Sequence, residues 1–162
     1  MTIFDQALKH TLKWEGGYVN DPHDAGGETN YGISKRAHPN EDIANLTVER
    51  AGELYKTHYW DAMNCDALAT VSQVIAAKAF DMGVNMGTYR GAKILQAAIQ
   101  TLSPGLAVDG KIGPKTVNAL AAVDLETVQD LVQTRLENFY KSLQNPRFEK
   151  GWLKRAKSWL EL

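Results

Sequence analysis

The chain has 162 residues and one cysteine, Cys65, so no disulfide can form within it and stability has to come from packing. A lone thiol with no Cys-x-x-Cys partner is expected as a small buried hydrophobe, and the chain is suited to folding in a reducing compartment. Charge of one sign is also missing. Eighteen Lys and Arg against nineteen Asp and Glu leave a formal charge of −1, and no basic block tracks along the sequence. Nucleic-acid binding is therefore not expected. No apolar run reaches the ~18 to 20 residues a membrane-spanning helix needs. The first residues, "MTIFDQALKHTLKW", mix charges into a helical repeat where a signal peptide would carry a basic start and an unbroken apolar run. Synthesis in the cytoplasm without a classical export signal is the expectation. The four histidines, His10, His23, His38 and His58, lack the spacing of metal ligands, so neither metal nor cofactor is expected.

What is present is helical periodicity. At 44% hydrophobic, the chain is long enough to bury a core unaided. Thr2 can cap a first helix with the stripe Ile3, Phe4, Ala7, Leu8, Leu12, ended by Gly16-Gly17. Residues 16 to 33 hold too many breakers for a helix, and "TNYGIS" reads as a short strand or hairpin. Thr47 can cap a second helix bearing Val48, Ala51, Leu54, Tyr55 and His58. A third, about 70 to 83, is apolar all round and reads as the central core helix. "NMGTYRG" breaks it, and Ala92, Leu95, Ala98, Ile99 and Leu102 mark a fourth. "VDGKIGPKT" is a turn that delivers Pro114 to a first helical position. Helices about 114 to 122 and 125 to 144 follow. Pro146 stops the second, and a last helix gathers Trp152, Leu153, Ala156, Trp159 and Leu160 on one side. Its basic residues, Arg147, Lys150, Lys154, Arg155 and Lys157, are expected on a solvated face.

The stretch "KWEGGYVNDPHDAGGETNYGIS" carries the chemistry. Glu15 closes the first helix, a glycine-rich loop follows, and Asp24 lies nine positions on, with Thr29 beyond it. Cleaving a glycosidic bond needs an acid to protonate the leaving oxygen and a second carboxylate on the other face of the sugar. Glycines let the backbone come close to a bulky polymer. The alternative is that Glu15 is a solvated helix-end charge and the loop an ordinary connector.

The same stretch resembles the glutamate–glycine–glycine–tyrosine signature and the glycine–glycine–x–threonine segment of glycoside hydrolase family 108. That family comprises lysozyme-like N-acetylmuramidases and includes secretion activators and phage-type endolysins. "YWDAMNCDAL", "AFDMGVNMG", "DGKIGPKTVNAL" and "NPRFEKGWLKR" resemble its remaining blocks, the later ones from a peptidoglycan-binding segment. The resemblance implies a mainly α, lysozyme-like fold with a short loop or hairpin beside the catalytic glutamate. It implies a catalytic segment over 1–87 and a helical peptidoglycan-binding-type segment over 88–162, packed into the same globule. It also implies Glu15 as the catalytic acid.

Bacteriophage lysozymes separate glutamate and aspartate by eight residues and aspartate and threonine by five. Glu15 and Asp24 keep the first gap, while only four residues separate Asp24 from Thr29. Asp24 is preferred as the second carboxylate, and Asp21 is the competing candidate. Tyr18, Asp21, Tyr31 and Asn85 are the candidate substrate contacts, with a helix cap as the plainer role of Asn85. The expected activity is hydrolysis of the β-1,4 bond between N-acetylmuramic acid and N-acetylglucosamine. A lytic transglycosylase and a non-catalytic wall-binding or secretion-accessory protein are the alternatives. The partner is the peptidoglycan glycan strand, reached by a monomer through a holin or another export route.

Overall fold

The computed structural model describes all 162 residues, which divide into two compact units, Met1–His58 and Tyr59–Leu162. In the first unit, α1 (Ile3–Leu12) begins with a reciprocal cap. Thr2 Oγ1 accepts from the Asp5 N–H at 3.1 Å, and Asp5 Oδ2 accepts from the Thr2 N–H at 2.7 Å. The helix ends at Leu12, earlier than the glycine pair suggests. Its last carbonyls are taken up in tighter turns, the Trp14 N–H reaching Thr11 O and the Glu15 N–H reaching Leu12 O. Glu15 therefore stands on a turn beyond the helix.

Three short strands follow, β1 (Val19–Asn20), β2 (Glu28–Asn30) and β3 (Ile33–Ser34), paired antiparallel in that order. β2 and β3 are joined by Tyr31 and Gly32 alone, both at positive φ, 51° and 76°. Positive φ at both central residues is what a two-residue type I′ hairpin requires. The buried amide of Asn30 donates to Ile43 O at 3.1 Å and ties the hairpin to the segment after it. α2 (Val48–Tyr55) is capped by Thr47 Oγ1, which accepts from the Arg50 N–H, and buries Ala51, Leu54 and Tyr55. At Gly52 a side chain would meet Leu8 of α1 at 3.3 Å, so the two helices approach closely there. His58 departs from expectation and is exposed. The α-helix gives way to a π-helical turn, Lys56–Trp60, whose wider winding shifts later residues off the inward stripe.

The second unit is all helix: α3 (Cys65–Ala69), α4 (Gln73–Met86), α5 (Thr88–Leu102), α6 (Pro114–Ala121), α7 (Leu125–Ser142) and α8 (Pro146–Ala156). The expected helix at 70–83 is displaced. Ser72 Oγ accepts from the Ile75 N–H, which fixes the start of α4 three residues later and leaves Val71 outside it. Residues 75–83 are then buried without interruption, so α4 is the core helix of its unit. Gly87, at φ 90°, separates it from α5. A Cβ at Gly91 would lie 3.0 to 3.2 Å from atoms of Met82 and Gly83, so α5 crosses α4 with only hydrogen at the contact. Cys65 and Trp60 are fully buried, and Trp60 meets Phe80 edge-on at 5.7 Å.

α8 corrects one expectation. Arg155 is buried, and its guanidinium binds the Asp81 carboxylate at 2.9 and 3.1 Å. One turn earlier on α4, the Lys78 ammonium donates to the carbonyls of Arg155, Ala156 and Ser158 at 2.8 to 3.1 Å. α4 thus holds the end of α8 by its side chain and its backbone together. Pro146 opens α8 rather than ending α7, and Trp159 lies past the helix, where its indole N–H donates to Gln133.

Candidate active site

Glu15 is half-buried on its turn, and its surroundings are set by the hairpin. The position that a Cβ on Gly32 would occupy lies 2.8 Å from Glu15 Oε2 and 2.5 Å from Tyr55 Oη. Carboxylate and phenol therefore fill the space a side chain would need. Glycine is required there twice over, once for that space and once for the left-handed backbone. The Tyr55 hydroxyl donates to Tyr31 O at 2.5 Å, holding the carbonyl of a non-glycine residue at φ 51°. Tyr55 and Gly32 are site residues that sequence reasoning missed. Tyr55 was legible only as part of an inward helical stripe, and Gly32 only as a turn residue.

The loop between β1 and β2 carries the two aspartates, both exposed. Asp21 Oδ1 accepts from the His23 N–H and Asp24 Oδ1 from the Gly26 N–H, each at 2.9 Å. The Asp24 N–H in turn donates to Asp21 O. Such side-chain turns fix one carboxylate oxygen against the backbone and orient the other. Thr29 pairs with Val19 and with Ser34, so it points to the sheet face opposite Glu28, Asn30 and Ile33. Tyr18 is exposed and donates to Glu28 Oε2 at 2.8 Å, a bond that lifts its phenol above the ordinary tyrosine range. Tyr31 is half-buried at the hairpin tip. Asn85 belongs to the other unit, half-buried in the last turn of α4, and the helix is capped by Gly87 instead.

The "VDGKIGPKT" segment is built on a buried amide. Gln96 Nε2 faces Asp109 Oδ1, Lys111 O and Thr116 Oγ1 at 2.8 to 3.1 Å, while its Oε1 accepts from the Gly110 N–H at 2.8 Å. The Gln96 amide, followed by the Lys111 N–H, holds the Asp109 carboxyl below the usual range. The turn ends with Pro114 as the first residue of α6, as expected. It borders a cavity of about 760 Å³ whose lining includes Leu106, Ile112 and Lys115.

Residues 8–87 match the family model described as glycosyl hydrolase 108, and residues 90–157 match the one described as a predicted peptidoglycan domain. No curated protein matches the chain in sequence. Among solved structures the chain is similar to the structure of Brucella abortus SagA. The two are 29% identical with a TM-score of 0.75, over 94% of this chain and 88% of that one.

Proposed function

The chain belongs to the glycosyl hydrolase 108 family through residues 8–87, with a peptidoglycan domain over 90–157, and on that premise we propose an N-acetylmuramidase with Glu15 as its general acid. A mainly helical, lysozyme-like fold, a glycoside hydrolase segment and a peptidoglycan-related function are the ground it stands on. The bond cleaved is the β-1,4 link between N-acetylmuramic acid and N-acetylglucosamine. The observation that carries the reading is the packing of Glu15 against Gly32 beside the Tyr55 hydroxyl. A carboxyl set against a side-chain-free turn has few ways to move, and positional restriction is what turns a carboxyl into an efficient proton donor.

In the proposed reaction, Glu15 protonates the departing glycosidic oxygen as the C–O bond breaks. Asp24, anchored through Oδ1 by the Gly26 N–H, uses its other oxygen to orient the attacking water or to steady the oxocarbenium-like transition state. Thr29 assists it. Asp21 competes with Asp24 for that role, and Tyr18, Tyr31 and Asn85 contact the glycan. The enzyme works as a monomer without cofactor, on wall outside the membrane, and reaches it through a holin or another export route.

Products of a digest of purified wall test this. Hydrolysis leaves a reducing muramic acid end. A 1,6-anhydro end would instead mean transglycosylation, and the absence of soluble fragments would mean a binding protein.

A further inference from the structure

Between α5 and α7 lies a second cavity, of about 580 Å³, and its charge is one-sided. Arg90, Lys93 and Arg135 line it, and no carboxylate does. In a chain of net charge −1, three clustered cations repel one another unless something offsets them. Elsewhere carboxylates do so: Arg50 lies against Glu41 and Glu53, and Arg155 against Asp81. Here the partners are neutral. Arg90 sits over the Phe139 ring at 5.0 Å, Lys93 over the Tyr89 ring at 5.2 Å, and Arg135 reaches only the Thr101 hydroxyl, at 3.4 Å.

The groove is also held in shape. Tyr89 is 62% exposed, yet its ring rests on Gly110, where any side chain would collide with it. Gly110 is fixed in turn by the buried Gln96 amide. Ile94, Ala97 and Val108 supply small apolar surface between the charges. Preorganised cations on aromatic rings beside small apolar walls fit an anionic ligand that carries methyl-sized side chains.

We propose that this groove binds the stem peptide of peptidoglycan, its carboxylates meeting Arg90, Lys93 and Arg135 and its alanyl methyls meeting the apolar wall. The assignment rests on the peptidoglycan-related reading of residues 90–157 and names which part of the polymer is held. The glycan backbone has no carboxylate free of the stem peptide, so charge complementarity selects the peptide.

Calorimetric titration of the full chain tests it with two soluble probes, the disaccharide–tetrapeptide and the same disaccharide with its peptide removed and its lactyl carboxyl capped as a methylamide, so that it carries no charge. Neither contains the internal bond that hydrolysis would consume. Three exposed charge contacts together are worth roughly ten- to a hundredfold in affinity at low salt. The triple variant Arg90→Gln, Lys93→Gln, Arg135→Gln should lose that much for the peptide-bearing probe. For the stripped disaccharide it should lose nothing. Added salt should weaken the parent toward the variant, and Arg90→Lys with Arg135→Lys, which keeps the charge, should retain most of the affinity. Equal binding of the peptide-bearing probe by parent and triple variant overturns the proposal. So does a parent that holds the stripped disaccharide as tightly as the peptide-bearing one. The wall digest reads separately: charge-dependent muropeptide binding without reducing ends would leave this groove assigned and the muramidase reading refuted, and the converse pair of results would do the opposite.

Discussion

Asp81→Asn should be among the most damaging single substitutions in the protein, although it touches no candidate catalytic group. Asp81 and Arg155 each expose only 7% of their side chains, and their polar atoms meet at 2.9 to 3.3 Å. Neutralising the carboxylate leaves a buried guanidinium without its counter-charge, which typically costs about 3 to 5 kcal/mol. A domain is stable by only about 5 to 15 kcal/mol, so the loss is a large share of the total. At about 2 to 4 °C per kcal/mol for a chain of this size, the thermal midpoint should fall by roughly 6 to 20 °C. Lys78 makes the effect larger than a simple pair, because it binds the backbone carbonyl of the same Arg155 whose side chain Asp81 holds. Lys78→Met and Asp81→Asn should therefore be non-additive by about 0.5 to 3 kcal/mol. Replacing both ionic partners, Asp81→Leu with Arg155→Met, should be less damaging than Asp81→Asn alone, since neither member of the pair is left without its counter-charge and Lys78 keeps its three backbone carbonyls. Urea unfolding followed by circular dichroism gives the free energies, with the slope checked for constancy, and a thermal scan gives the midpoint. A loss below about 1 kcal/mol for Asp81→Asn, or a double variant worse than either single one, would refute the argument.

Glu15→Gln keeps the shape of the site and removes the proposed proton donor, so wall lysis should fall by about 10² to 10⁴-fold while stability stays within about 1 kcal/mol; near-parental lysis would remove Glu15 from catalysis. Asp24→Asn should cost less activity than Glu15→Gln, and Asp21→Asn less still, in the same lysis assay. Gly32→Ala should lower both lysis and stability, by about 1 to 2 kcal/mol for the backbone strain and more for displacing Glu15 and Tyr55, so a stable, active Gly32→Ala protein would contradict the packing at the hairpin. Burial, then the nearby Asp81, against the opposing effect of Arg155, pushes the Tyr140 phenol up to about 12. The unfolded chain releases that proton first, from about pH 10, so stability should fall as pH rises from about 10 to 12, by at most about 2 to 3 kcal/mol. Tyr140→Phe should lack that part of the decline, which the difference between the two unfolding curves isolates.

Much of the local structure was legible in the order of residues. Thr2 and Thr47 announce helix starts because a hydroxyl can take up a free N–H three positions on, and Pro114 fits a first helical position because it has no N–H to lose. The unbroken apolar run of α4 marks a core helix, and "TNYGIS" marks a hairpin. These inferences need only neighbours within a turn or two. Boundaries were less legible where a cap or a change of winding competed with the apolar period, at Ser72 and at the π-helical turn after Tyr55.

Tertiary structure decided which side chains meet. Arg155 reads as one more solvated lysine-like charge on a basic helix, and only the approach of α4, 74 residues away in sequence, makes it a buried ion. Glu15, Gly32 and Tyr55 come from a turn, a hairpin and a helix, and nothing in the periodicity of any one of them specifies the other two. The groove cations belong to two helices whose spacing records which face is apolar, not what the polar rim will oppose. Periodicity encodes burial, which is a property of one segment against water. Pairing is a property of two segments in space, and it exists only after the chain has closed the loops between them.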